Sequence, residues 1–439
     1  RYISQLEKFA YDLNWKIIIG LPLKLTNHRL NKDILYKAYQ ATALKHPLMR
    51  ANIYEDQQGR PYWKEVSNYM PDLSLTETQY DLKKPFTEDL LSKNYIEHGV
   101  DKALVDLKVL TWKDDSLLLI EACHSLYDGR SHYVFQHDLL QYYTDFAQGK
   151  PYDPNHPNNQ PYDFPESPFH LPLDKNFSVE QQRRIDEVIK AKEQNRKNYT
   201  PKFPGTSYFN NQGHVSVTSN EGSPDNLTKL KAFSESNGVS LIACIYSAAF
   251  AAIALTAKDN NINQGKDELS ITAMTVSDMT NKLYPDLKNK MIINSELSDI
   301  KFSINYGSTL LEIAKIVERQ IREDKKNYGY NYHSCIDYNY QVPFDYLINI
   351  IPFFEEKNYV INDSETITTN YISFIDQKKY KFTILENGVN TIITKDRIIY
   401  NLSYTHITKD FNQSISKYQQ EITENFTKYA DQKLSDIRI

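Results

Sequence analysis

Apolar and polar positions change period repeatedly along the chain. After Asn31 the period is near 3.6: Ile34, Leu35, Ala38 and Leu44 form one stripe, and Asn31 is placed to cap the helix they predict. His46-Pro47 ends it, because proline disfavours helical backbone in the residue before it. Shorter runs read as strands: Trp15 to Ile19 before the helix, then Arg50 to Tyr54 and Tyr62 to Val66, parted by a turn from Asp56 to Gly59. Leu104 to Leu110 and Leu117 to Ala122 are predicted to be neighbouring strands joined at Lys113-Asp114-Asp115. The helical period returns from Tyr133 to Phe146, where Phe135, Leu139, Tyr142 and Tyr143 share an apolar face.

Pro151 to Pro172 holds seven prolines in a polar stretch and reads as an extended connection. Beyond it, Val179 to Arg196 predicts a charged helix, read as a solvated bridge. A second domain is expected to start near Thr206-Ser207-Tyr208-Phe209, with helices at Val239 to Ala257 and Leu310 to Glu323. Strands are predicted at Lys379 to Leu385, Thr391 to Thr394 and Ile398 to Tyr404, before an amphipathic helix from Asn412 to Tyr429. The fold class is therefore mixed α and β, in two domains: 1–160, a linker and bridging helix at 161–205, and 206–439.

A chain of 439 residues that is 40% hydrophobic and 24% charged is long enough to bury two cores. Its net charge of −5, with no long basic run, gives nucleic acid no electrostatic footing. Cys123, Cys244 and Cys335 are widely separated and show no disulfide framework or metal spacing, which favours a reducing compartment. His124, His132 and His137 lack a third-ligand pattern, so no metal is expected. The most apolar stretch, Leu241 to Ala257, is interrupted by Cys244, Ser247 and Thr256 and reads as a buried helix, not a membrane span. No signal-peptide core opens the sequence, and a cytoplasmic monomer is expected. The sequons Asn198-Tyr199-Thr200 and Asn401-Leu402-Ser403 are ascribed to chance in an asparagine-rich chain.

The candidate chemistry lies in Cys123-His124-Ser125-Leu126-Tyr127-Asp128-Gly129-Arg130-Ser131, directly after the strand-like Leu117 to Ile120. A histidine at such a strand-to-helix junction is held rigidly. An imidazole, with an ordinary pKa of about 6.5, suits general-base work near neutral pH. On that reading Asp128 braces the loop. Spacing alone leaves equally open a histidine that does no more than hydrogen-bond its loop.

The run His124-Ser125-Leu126-Tyr127-Asp128-Gly129 resembles the histidine, three residues, Asp-Gly motif of the condensation-domain and acyl-CoA-dependent acyltransferase superfamily, which shares the chloramphenicol acetyltransferase-like fold. The resemblance extends to Ala43-Leu44-Lys45-His46-Pro47-Leu48-Met49-Arg50, with Glu55-Asp56 and Gly59-Arg60-Pro61 after it. It continues loosely through Gly238-Val239-Ser240-Leu241, Val276-Ser277-Asp278-Met279-Thr280 with Pro285, and Asn401-Leu402-Ser403-Tyr404. Two features depart from it. Cys123 stands where many peptide-synthetase members carry a second histidine, and the Asp-Phe-Gly-Trp-Gly motif of plant-type members is missing. The loop is most similar to that of free-standing alcohol or lipid O-acyltransferases.

The resemblance implies two similar halves packed as a pseudo-dimer about a central tunnel, with His124 near its centre. His124 would be the general base, and Asp128 and Gly129 would complete the catalytic loop. Arg50 would clamp Asp128 by an ion pair. The Gly129 amide, or Asn370 and Ser373, would serve the oxyanion. The donor would be a thioester, acyl-CoA first and an acylated carrier protein second, and the acceptor an alcohol, lipid or amine. No cofactor is implied beyond that co-substrate. The alternatives are a condensation-type partner of a peptide synthetase and a catalytically silent scaffold of the same fold.

Overall fold

The computed structural model describes residues 1–12, 16–78, 97–126, 128–164, 178–205, 216–262, 265–278, 287–293, 295–327, 330, 342–354, 357–369, 373–374, 387–404 and 408–439. In chain order the first elements are α1 (Gln5–Asp12), β1 (Lys16–Thr26), α2 (Lys32–Lys45), β2 (Ala51–Glu55), β3 (Pro61–Glu65), β4 (Asp72–Glu77), β5 (Val105–Trp112), β6 (Asp115–Cys123) and α3 (Gly129–Ala147). There follow α4 (Val179–Lys197), β7 (Ser216–Glu221), α5 (Pro224–Asn237), α6 (Leu241–Asp259), β8 (Glu268–Asp278), β9 (Ser295–Asn305) and α7 (Leu310–Lys326). The last are β10 (Tyr346–Phe354), β11 (Asn358–Val360), β12 (Thr366–Thr369), β13 (Ser373–Phe374), β14 (Gly388–Thr394), β15 (Ile398–Tyr404) and α8 (Lys409–Glu424).

Two compact units divide the chain, and each is assembled from separated stretches. One comprises 1–176, 278–295 and 356–375, and the other 177–277, 296–355 and 376–439. The short strands β11 and β12 belong with the first unit because they extend its sheet, whose order is β11-β12-β1-β6-β5-β4 with β13 also on β1. Leu25 of β1 faces Ile367 of β12, and Leu21 faces Leu118 of β6. Strand β6 is buried almost throughout, as a strand between two neighbours and under helices must be. Helices α2 and α3 supply Leu35, Ala38, Tyr39, Phe135 and Leu139 to that core.

The second unit holds a six-stranded sheet, β7-β15-β14-β10-β8-β9. Ile348 and Ile350 of β10, Val389 and Ile393 of β14, and Tyr400 and Leu402 of β15 share one core with α6 and α8. Alternation then turns Asn349, Gly388, Asn390, Asn401 and Ser403 to the opposite face. Helix α6 is long and apolar enough to cross a membrane, but every residue from Ala243 to Ala257 is buried in this core. Gly238 ends α5 in the left-handed region (φ 66°), a conformation that glycine adopts without a Cβ clash.

Several sequence expectations are sharpened here. Asn31 caps α2, its Oδ1 accepting the Asp33 and Ile34 N–H groups. Strand β1 runs on to Thr26; Gly20 and Pro22, usual strand breakers, hide its second half in the sequence. Helix α3 starts at Gly129, four residues before the apolar period, because Asp128 caps it. Helix α4 is not merely solvated: Lys192 and Arg196 are buried against Asp299, with Arg196 Nη2 2.7 Å from Asp299 Oδ1. The sequon asparagine Asn401 is buried in β15. The expected strand at Lys379 to Leu385, the start at Thr206 to Phe209, and Tyr127, Cys335 and Asn370 lie outside the described residues.

Candidate active site

Strand β6 delivers the candidate histidine. It is fixed by β1 on one side (Lys16 opposite Cys123) and β5 on the other (Val105 opposite Ala122), so its C-terminal end is held on both edges. His124 is the first residue of the turn that follows, half-buried, and the turn closes through Leu126 N–H donating to Cys123 C=O at 3.0 Å. Buried Ser125 donates its hydroxyl to the Glu7 carbonyl at 2.7 Å, tying the turn to α1.

Glu7 is itself locked. Its side chain is inaccessible, and it accepts two bonds from the Arg1 guanidinium, at 2.7 and 2.9 Å, one from Ser4 N–H at 2.6 Å and one from Trp63 Nε1 at 3.2 Å. Burial alone would raise its carboxyl pKa, but Arg1 and Ser4 outweigh that and hold it below the usual range. The support beneath His124 is thus a buried, fully engaged carboxylate.

On the far side of the turn, Asp128 divides its oxygens between two elements. Oδ1 caps α3 by accepting Arg130 and Ser131 N–H at 3.1 and 3.0 Å, while Oδ2 accepts the Ser295 hydroxyl at 2.7 Å. Ser131 Oγ donates to Ile292 C=O at 2.7 Å and accepts Ile292 N–H at 2.9 Å, and Arg130 donates to Lys288 C=O at 3.1 and 3.2 Å. The start of α3 is therefore bound to the 287–295 segment, which belongs to the same unit.

The expected Arg50–Asp128 clamp does not form. Arg50 lies at the end of a short 3₁₀ turn, where its Nη1 reaches Glu65 of β3 at 2.6 Å and its Nε donates to Ala43 C=O at 2.9 Å. Its guanidinium is already committed to Glu65 and Ala43, while Asp128 Oδ2 is engaged by Ser295.

Gly129 is the first residue of α3 and is exposed. Its φ is ordinary, and a Cβ built there meets nothing within 4 Å, so neither conformation nor packing demands glycine. The Asp128 side chain takes the next two N–H groups, and His132 N–H goes to Asp128 C=O. Ser373 is placed opposite Gly20 of β1, though its side chain is outside the described residues, as is Asn370.

Cys123 is buried, and that burial pushes its thiol up to about 11, so it is a poor nucleophile beside the histidine. His132 is buried in α3, and that burial drives its pKa down to about 3. His137 meets the Tyr359 hydroxyl at 3.1 Å. Among the described residues no group of three His, Cys, Asp or Glu side chains is arranged to hold a metal ion. The sequence reading missed Glu7, Ser131 and Ser295; only Ser131 lay close enough to the motif to be suspected.

No protein-family model matches the sequence, and no curated protein matches it. Solved structures do. The first condensation domain of the calcium-dependent antibiotic synthetase is similar at TM-score 0.69 and 11% identity, over 99% of this chain and 97% of that one. The condensation domain of the Monacolin K polyketide synthase is similar at TM-score 0.69 and 9% identity, over 99% and 98%. The chain has the condensation-domain fold. Polyketide synthase associated protein 5 from Mycobacterium tuberculosis shares this fold at TM-score 0.65 and 14% identity, over 96% of this chain and 97% of that one. At these identities the condensation-domain fold is what is shared, and the chemistry must be argued from this chain's own residues.

Proposed function

We propose that this chain is a condensation-type acyltransferase, moving an acyl group from a thioester to an alcohol or amine with His124 as general base. The observation that carries the reading is the way His124 is held. It sits on a turn braced on one side by Ser125 and Glu7 and on the other by Asp128, whose oxygens are spent on the α3 cap and Ser295. A carboxylate used in this way positions the turn and is not a relay partner.

The acceptor oxygen or nitrogen attacks the thioester carbonyl while His124 takes its proton. As the C–S bond breaks, the imidazolium returns a proton to the departing thiolate. The Gly129 N–H, at the start of α3, is the donor offered to the oxyanion. No acyl-enzyme is needed, in keeping with the buried thiol of Cys123. The reading takes acyl-CoA as donor and needs no other cofactor. It places the chain in a reducing compartment, consistent with the buried free thiols of Cys123 and Cys244. A second reading, with an acylated carrier protein as donor, is favoured by the similarity to condensation domains of synthetases.

The test is thiol release from a panel of acyl-CoA thioesters, and from the same acyl groups loaded on a carrier protein, with mixed alcohols and amines. His124→Ala is expected to lower turnover at least about 100-fold with an unchanged unfolding midpoint. Turnover equal to wild type would remove His124 as base.

A further inference from the structure

The unassigned feature richest in chemistry lies on the sheet of the second unit, on the face turned away from α6 and α8. Register places Asn349 of β10 beside Asn390 of β14, and Asn390 beside Asn401 of β15. Three carboxamides therefore form one row across three adjacent strands, spaced about 4.8 Å apart. Asn401 is 2% exposed, and neither its Oδ1 nor its Nδ2 has a hydrogen-bond partner. Buried polar groups in folded proteins are nearly always satisfied, so a carboxamide with both atoms idle is waiting for something.

Gly388 and Ser403 pack closely beside the row on the same face. Gly388 carries no side chain on this face; a Cβ there would come within 3.0 Å of Ser403 Oγ, and Asn390 Nδ2 lies 3.7 Å from the same point. Asn349 and Asn390 are only half-buried. The row contains amides and no charge, which disfavours a phosphate, carboxylate or ammonium group. A carboxamide offers one donor face and one acceptor in a single plane, and the neutral group that answers both is another amide.

We propose that the Asn349–Asn390–Asn401 row binds a neutral ligand carrying a secondary amide. The proposal goes beyond acyl transfer and is read without turnover. Such an amide has two sources, the arm of a thioester donor or the acceptor molecule, and two matched pairs of probes separate them. The donor pair is S-acetyl-N-acetylcysteamine and S-pentyl thioacetate, in which two methylenes replace the amide. The acceptor pair is glycine N-methylamide and butylamine.

Calorimetric titration of the full chain is expected to show the amide member of one pair binding about tenfold or more tighter than its partner. Asn401→Leu is expected to abolish that preference while leaving the unfolding midpoint unchanged or raised, because it removes two idle buried polar atoms. Asn390→Leu, at a half-buried position, should also abolish the preference. His124→Ala should retain it, so that failure of the transfer chemistry and failure of this site are told apart. Absence of a preference in both pairs, or its persistence in both asparagine variants, would overturn the proposal. A lowered midpoint in Asn401→Leu would overturn it as well, since the carboxamide would then have an internal partner.

Discussion

Asp128 shows how little of a side chain's role lies in its position in a motif. One oxygen caps α3 and the other holds Ser295, so removing the group loses a cap and a hydrogen bond together. Asp128→Ala is expected to lower stability by about 2 kcal/mol, and Ser295→Ala by about 1 kcal/mol. Arg50→Ala, which breaks a pair with a partly exposed Glu65, should cost about 1 kcal/mol or less. Urea unfolding of the three variants checks the order; an Arg50→Ala cost matching that of Asp128→Ala would restore the clamp. An aspartate directly before the glycine that opens a helix is legible as a cap. Its second partner was not, because Ser295 is 167 residues away and nothing in local spacing announces a contact across that separation. The Arg50 misreading has the same root, since Glu65 becomes its partner only once β3 folds back beside β2.

At the scale of elements, α4 is the clearest departure from its sequence pattern. Its charges read as a solvated face, and Ser178 with Gln181 does form a capping box at its start. Near its C-terminal end, however, Lys192 and Arg196 are buried on Asp299, and Lys192 also donates to Ser298 Oγ at 2.9 Å. Asp299→Ala would remove the carboxylate that both buried cations share and is expected to cost about 3–5 kcal/mol, measured by chemical denaturation. Long periodic elements were legible: α2, α3, α6, β5, β6, β14 and β15 all follow from apolar spacing. Strand β8 was there to be read, since Leu269, Ile271 and Ala273 alternate with polar residues. Strands β11 and β12 are too short and too polar to show a period, and only their pairing beside β1 makes them strands.

For the molecule as a whole, the first unit keeps several imidazoles neutral by burial: His46 is shifted down, His98 falls to about 4 and His132 to about 3. A histidine whose folded pKa lies below its unfolded value of about 6.5 binds its proton only on unfolding. Its stabilising effect is present above pH 6.5 and is lost as pH falls toward the folded value. Asp345 runs the other way: burial raises it to about 6, so its contribution declines as pH rises from about 4 through 6. His132→Leu is therefore expected to flatten the dependence of unfolding free energy on pH by about 1.4 kcal/mol per unit between pH 5.5 and 4. Denaturant titrations at several pH values measure it, and an unaltered slope would mean that His132 is solvated in the folded state. Neither shift was legible in the sequence, because both arise from what surrounds the group in three dimensions.

The return of β12 to the edge of β1 also bears on how the protein is made. A ribosome releases Lys16–Thr26 early, but the strand that covers that edge, Thr366–Thr369, emerges some hundreds of residues later. Throughout that interval the nascent chain carries an open row of backbone donors and acceptors, a template for pairing with other nascent chains. Translation that halts before Thr369 would leave the edge open for good, which makes truncated products of this chain natural clients for chaperones.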